Sequence, residues 1–324
     1  MAKKKVSIVI PAYNERDNVE ELARRLQGVF AENSNYDFEA IIVENGSQDD
    51  SFDKLQAVAA QDDRFKIIQL ARNFRMDGGL TAGMNFASGD AVVIMTADLQ
   101  DPPELISKFI AKWEEGYENV YGIVTRRVGT SPLRRFNSQM FYLVANKLTN
   151  GMIPRNVSDF RLVDRRVYHV INSMRERNRF VRGLFAWVGF KSIGIEHERP
   201  PRVAGVSGAH TLKVIDLALK GIFAHSYVPL KFISITGVIT TALSLLALIA
   251  LVIKAVFWGV PFSGFGTIVA LMLMMFGFFS TMLGLVAEYV GLIYEEVKQR
   301  PNYVVRRTIG LSGHPEALEA KTEE

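Results

Sequence analysis

The chain has 324 residues, is 48% hydrophobic, carries a formal net charge of +4 and has no cysteine. That length holds one full-size domain plus something smaller, and the missing cysteines exclude disulfides, thiolate nucleophiles and cysteine metal sites. A balance of +4 is too mild to argue for nucleic acid and suits a phosphorylated ligand or an anionic membrane surface.

Lys3, Lys4 and Lys5 precede the apolar run Val6–Ile10, which Pro11 stops. Five residues are too few for the apolar region of a signal peptide, so the run is expected to be a first strand that starts in the cytoplasm. Further short apolar strands are predicted at Ala40–Val43, Lys66–Leu70, Ala91–Met95 and Val120–Val124. Between them Val19, Leu22, Leu26 and Val29 mark one helix face, Phe52, Leu55 and Val58 another, and Pro102 and Pro103 open a third helix at its first turn. This alternation predicts an α/β fold with a mostly parallel sheet covered on both faces. Ligands of such sheets sit at the carboxyl ends of the strands.

Those ends read Pro11-Ala12-Tyr13-Asn14-Glu15, Glu44-Asn45-Gly46-Ser47, Ala71-Arg72-Asn73, Thr96-Ala97-Asp98-Leu99-Gln100-Asp101, and Arg126-Arg127. Any one of them reads equally well as a solvated turn, but five at one edge point to a site. A carboxylate beside an arginine-bearing rim suits a divalent ion bridging a diphosphate, since Mg²⁺ and Mn²⁺ take oxygen ligands and few from protein when phosphates supply the rest. No Walker pattern and no G-x-G-x-x-G is present.

Phe232 to Ile253 is 22 residues without a formal charge, about 33 Å of helix and enough to cross a bilayer core. After Lys254 no charge appears until Glu288, and Trp258-Gly259-Val260-Pro261 with Ser263-Gly264 breaks the run, so a second span is predicted at Phe265–Ala287. A buried helical hairpin is the alternative. Lys213, Lys220 and Lys231 before the first span and Lys298, Arg300, Arg306 and Arg307 after the second put both ends in the cytoplasm. Leu212–Ser226 repeats apolar residues at helical spacing, as an interfacial amphipathic helix does, or an ordinary surface helix. The expected organisation is therefore a cytoplasmic domain over 1–210, an interfacial helix over 211–229, two membrane helices within 230–290 and a cytoplasmic tail over 291–324.

Val6 to Glu15, Ala71-Arg72-Asn73-Phe74, Ala97-Asp98-Leu99-Gln100-Asp101-Pro102-Pro103-Glu104, Ser158-Asp159-Phe160-Arg161-Leu162, Asn178 to Gly183 and Glu198-Arg199-Pro200-Pro201-Arg202 together resemble glycosyltransferase family 2. In order and followed by two spans, they are similar to its polyprenyl-phosphate glycosyltransferases, the bacterial relatives of dolichyl-phosphate mannose synthase. The resemblance implies the GT-A fold, a Rossmann-like mixed sheet with flanking helices. It also implies an inverting transfer of a hexose from a nucleotide-sugar, UDP-glucose or a related UDP-sugar, onto undecaprenyl phosphate, for cell-envelope or lipopolysaccharide modification. Pro11, Tyr13, Glu15, Glu44, Arg72 and Ala97 are then expected at the donor nucleotide. Asp98 holds Mg²⁺ or Mn²⁺ with Gln100 close to it, and Asp98 and Asp159 are the catalytic carboxylates. Arg126, Arg134, Ser138, Arg182 and Arg202 form the acceptor-phosphate group. The implied setting is the inner (plasma) membrane, with a homo-oligomer, up to a tetramer, as the assembly and no nucleic-acid partner.

The sequence departs from the family at three places. The usual two aspartates after the second strand are Glu44 and Asn45, the first carboxylate of the Asp-x-Asp metal motif is Thr96, and the common Ser-Lys-Tyr after Ala204 is Ser207-Gly208-Ala209. A processive polysaccharide synthase is the rival enzyme, although Trp187 lies outside that class's polymer-gripping motif. A catalytically degenerate membrane scaffold is the non-enzymatic alternative.

Overall fold

The computed structural model of the protein describes residues 3–127, 157–177, 179–199 and 264–311, with scattered positions between 233 and 258. In chain order the elements are β1 (Lys5–Ala12), α1 (Val19–Glu32), β2 (Asp37–Glu44), α2 (Ser51–Gln61), β3 (Phe65–Leu70), α3 (Arg75–Phe86), β4 (Ala91–Ile94), α4 (Leu105–Glu114) and β5 (Asn119–Arg127). Then follow β6 (Val157–Asp164), α5 (Arg165–Ser173), α6 (Val181–Trp187), β7 (Ser192–Arg199), α7 (Phe265–Val297) and β8 (Val305–Ile309).

The eight strands form one mixed sheet in the order β7-β5-β6-β4-β1-β2-β3-β8. β1 runs parallel to β2 and β4, β2 to β3, and β5 to β7. β6 is antiparallel to both β4 and β5, so β5 points the same way as β4. All five strand ends read from the sequence therefore leave the sheet at one edge.

Side chains alternate across β1 as a strand buried on both faces requires. Val6, Ile8 and Ile10 join Leu22 and Leu26 of α1, Leu55 of α2 and Phe109 of α4. Val9 faces the other way, with Leu80 and Met84 of α3, Val167 of α5 and Leu184 of α6.

Two elements differ from the sequence reading. Pro102 and Pro103 sit in a turn, and α4 opens after them at Leu105. α3 is a helix that the pattern hides, because Gly78, Gly79 and Gly83 lower its helix propensity. Those glycines are there for packing: a Cβ on Gly83 would sit 2.2 Å from Val9 Cγ1 and 3.2 Å from Val43 Cγ2. Tertiary contact with β1 and β2 outweighs propensity.

The chain divides into two compact units, Met1–Ala218 with Arg300–Glu324, and Leu219–Gln299. The second contains α7, 33 residues long and about 50 Å at helical rise, with Phe276, Phe279 and Leu283 exposed. Among the described residues it is the one helix long and apolar enough to cross a membrane, over Met275–Val297. The span expected over 265–287 thus continues unbroken past Glu288. The expected first span, 232–253, is described only in part and is helical where described. The 211–229 helix lies outside the described residues. The expected C-terminal tail is not featureless, since β8 pairs antiparallel with β3.

Candidate functional site

The strand order β4-β1-β2-β3 lines up Asp98, Tyr13 and Glu15, Glu44, and Arg72 along one edge. Strands ~4.8 Å apart put roughly 14 Å between the outer two, room for an extended nucleotide.

After β1 the chain turns at Asn14, a non-glycine residue with φ 54°. The turn is stitched to the loop after β2: Asn14 N–H donates to Ser47 Oγ (3.0 Å), Gln48 N–H to Asn14 Oδ1 (2.9 Å) and Glu15 N–H to Ser51 Oγ (2.9 Å). Pro11 is buried, Tyr13 is exposed, and Glu15 accepts from Asn18 Nδ2 at 2.6 Å. Glu44 is 1% exposed. Its Oε1 accepts from the Ser47 N–H, while its Oε2 is buried with no hydrogen-bond partner among the described residues. A buried carboxylate oxygen without a donor is costly, so Glu44 can take a donor from a ligand.

Arg72 is exposed after β3, its guanidinium 4.0 Å above the Phe74 ring. After β4, Asp98 is 8% exposed. Its Oδ1 accepts from Thr96 Oγ1 (2.7 Å) and the Gln100 N–H (3.3 Å). Leu99 between them has φ 57°, a backbone conformation that persists only where surroundings enforce it. The Ala97 side chain is 3% exposed and packs in the core, so only its backbone is left to meet a ligand.

Thr96 therefore turns a hydroxyl onto the remaining aspartate where a first carboxylate is usual. Among the described residues no three His, Asp or Glu side chains converge as a metal cage. The oxygen donors present, the Asp98 carboxylate and the Gln100 amide, fit a hard divalent cation that draws its other ligands from phosphate and water.

On the far side of β4, β6 begins at this same edge. Asp159 accepts two bonds from Arg182 of α6, Nε to Oδ1 at 2.7 Å and Nη2 to Oδ2 at 2.5 Å, a bidentate fork. Three groups to which the sequence reading gave no role of their own surround this pair. Asp77 of α3 accepts from the Val181 N–H (3.0 Å) at the start of α6; burial, reinforced by the Asp159 charge, raises its pKa against the pull of that bond and of Arg182 and Arg179. Arg161 is buried against the Phe185 ring at 4.4 Å, and burial lowers its pKa to about 10. Asp101, fully buried, accepts from Ser158 Oγ at 3.2 Å and lies 3.5 Å from His197 Nε2, tying the Asp98 loop to β6 and β7. Asp101 and Arg161 stand in segments that carry the family resemblance, whereas no local pattern marked Asp77.

Arg126 pairs with Glu198 within the β5–β7 ladder, inside the strand and at the same edge. Its side chain, and Arg134, Ser138 and Arg202, lie outside the described residues.

A family model described as Glycosyl transferase family 2 matches residues 7–171. An uncharacterized glycosyltransferase of Synechocystis sp. is 40% identical over 310 residues, 96% of this chain and 97% of that one. The bactoprenol glucosyl transferase of Shigella phage SfII is 34% identical over 304 residues, 94% of this chain and 98% of that one. Among solved structures, glucosyl-3-phosphoglycerate synthase from Mycobacterium tuberculosis in complex with Mn²⁺, UDP and phosphoglyceric acid is 17% identical, over 68% of this chain and 76% of that one, with a TM-score of 0.47.

Proposed function

Because the chain belongs to glycosyltransferase family 2, and is a glycosyltransferase, we propose that it moves glucose from UDP-glucose onto undecaprenyl phosphate. Transfer takes place at the cytoplasmic face of the inner membrane and makes a lipid-linked donor for envelope glycan modification. The observation that carries this reading is the extent of the likeness to the phage enzyme, which runs through 94% of this chain, the apolar α7 included.

The chemistry fits the side chains. A phosphate monoester has its second pKa near ~6 and is mostly dianionic at neutral pH, so it needs no general base. Asp159, engaged through both oxygens by Arg182, is suited to orienting that guanidinium and not to accepting a proton. A phosphate oxygen bonds to the anomeric carbon as the bond from that carbon to the diphosphate oxygen breaks. The electron pair leaves with UDP, and the single displacement inverts the centre. Asp98 and Gln100 would hold the divalent cation, which when bound neutralises charge on the diphosphate. Arg182, with Arg126, Arg134, Ser138 and Arg202, serves the lipid phosphate; Glu15, Glu44 and Arg72 serve the nucleotide.

The test uses the purified full chain with radiolabelled UDP-glucose and undecaprenyl phosphate. The expected product is a chloroform-soluble glucolipid formed in step with UDP release. A water-insoluble polymer, or no turnover with any nucleotide-sugar of a panel, overturns the reading.

A further inference from the structure

We propose that Asn45 is a positioning residue that presents Arg72 to the donor diphosphate, in a role that requires an amide and that an aspartate cannot fill. The proposal rests on the reading above that Arg72 faces the donor.

Asn45 is 4% exposed and follows directly on β2. Its own N–H donates to Ala12 O at 2.9 Å, which fixes it beside the end of β1. Both ends of its carboxamide then reach across to the loop after β3. Oδ1 accepts from the Phe74 N–H at 2.8 Å, and Nδ2 donates to Arg75 O at 2.8 Å. These contacts bracket a strained point, since Arg75 has φ 63°, a conformation that neighbours must hold in place.

What the amide fixes is the platform under Arg72. The Phe74 ring lies 4.0 Å from the Arg72 guanidinium, and the Phe74 backbone is the part Asn45 grips. Neighbouring positions are shaped to the same end. A Cβ on Gly46 (φ 69°) would meet Arg72 C at 2.7 Å, and one on Gly78 would meet Phe74 Cβ at 2.6 Å. The end of β2 and the start of α3 thus close on the 72–74 loop from two sides, and Arg72 is left exposed on top.

An amide alone satisfies both partners. One end must accept from an N–H while the other donates to a carbonyl. A carboxylate would set an oxygen against Arg75 O, and would bury a charge with one donor where it needs several. The Asn at this position, where an aspartate is usual in the family, follows from that geometry.

The experiment measures UDP-glucose affinity by calorimetry, together with steady-state kinetics, on the full chain in detergent. Asn45→Asp is expected to raise the Kd and KM for UDP-glucose about tenfold, with the KM for undecaprenyl phosphate within twofold of wild type. Arg72→Ala is expected to weaken UDP-glucose at least as much. The double variant should then bind no more than twofold worse than Arg72→Ala alone, because Asn45 acts through Arg72. Wild-type affinity in Asn45→Asp, or losses that multiply in the double variant, overturns the proposal. Unchanged affinity in Arg72→Ala overturns the donor-site reading instead. Amide exchange at Phe74, expected at least tenfold faster in Asn45→Ala, then reports separately whether Asn45 pins the loop, and wild-type protection there also overturns the proposal. Asn45→Ala serves in place of Asn45→Asp if the latter does not fold.

Discussion

The two edges of the sheet both bury charge, and they handle it in opposite ways. At the edge where β1 to β4 begin, Glu39 is 1% exposed and every contact is closed. It accepts from Ser7 Oγ (2.5 Å), the Ser88 N–H (2.9 Å) and Ser88 Oγ (2.8 Å), with Lys66 Nζ at 2.5 Å and Lys5 Nζ at 2.9 Å. Nearby, Tyr168 donates to Gly89 O at 2.7 Å. At the edge where those strands end, Glu44 keeps a buried oxygen without a partner among the described residues, and Asn14, Arg75 and Leu99 hold positive φ. A satisfied charge reads as stability, whereas an orphan carboxylate oxygen and backbone strain at one edge read as function.

That contrast breaks most sharply at Asp98. Asp98→Ala is expected to cut transfer by about 10³-fold with the thermal unfolding midpoint held within a few degrees. A large fall in the midpoint would move Asp98 to the structural edge of the comparison.

Glu39→Gln should do the reverse, losing about 3 kcal/mol of stability while the folded protein keeps its KM values. Burial alone would raise the Glu39 pKa, but hydrogen bonds from Lys66, Ser7, Ser88 and Lys5 outweigh it and bring it from 4.5 to about 2. A depressed carboxylate stabilises the fold fully above its unfolded pKa, so the contribution is present above about pH 4.5 and is lost as pH falls toward 2. Chemical denaturation across that window should show the acid loss in wild type and a flatter profile in Glu39→Gln.

Arg182→Ala is expected to lower kcat/KM for undecaprenyl phosphate by about 10²-fold with UDP-glucose affinity unchanged, and Arg182→Lys to recover only part, since lysine keeps the charge without the fork. A loss of donor affinity instead would place the Asp159–Arg182 pair on the nucleotide side. The smallest effect is Thr96→Val, which removes the hydroxyl on Asp98 and should cost roughly fivefold in kcat/KM, the worth of one hydrogen bond. No change at all would make Thr96 a spacer.

The edge that carries the candidate site was the more legible of the two in the sequence. Glu44, Arg72 and Asp98 each follow an apolar run, so polarity alone placed them at strand ends. Glu39 interrupts its strand's apolar run, and its partners Ser7, Ser88 and Lys66 lie 27 to 49 residues away, beyond any local pattern. β6 was hidden for a related reason: Ser158 and Arg161 are buried polar residues, and Asp101 under the Ser158 hydroxyl and the Phe185 ring under Arg161 come from other elements. Asp77 was masked by the glycines around it, which look like a loop until β1 and β2 are in place beneath them.

The pairing of β8 with β3 has a consequence for how the protein is made. Arg307 Nε donates to Gln69 Oε1 at 2.7 Å across 238 residues of sequence, and α7 lies between them. A ribosome releases the apolar helix before it releases the strand that covers β3. Until then the nascent sheet carries an open edge, the kind that recruits other chains, and β8 removes it when it emerges. Closing so long a loop costs little more than closing a short one, because the entropy grows only with the logarithm of its length.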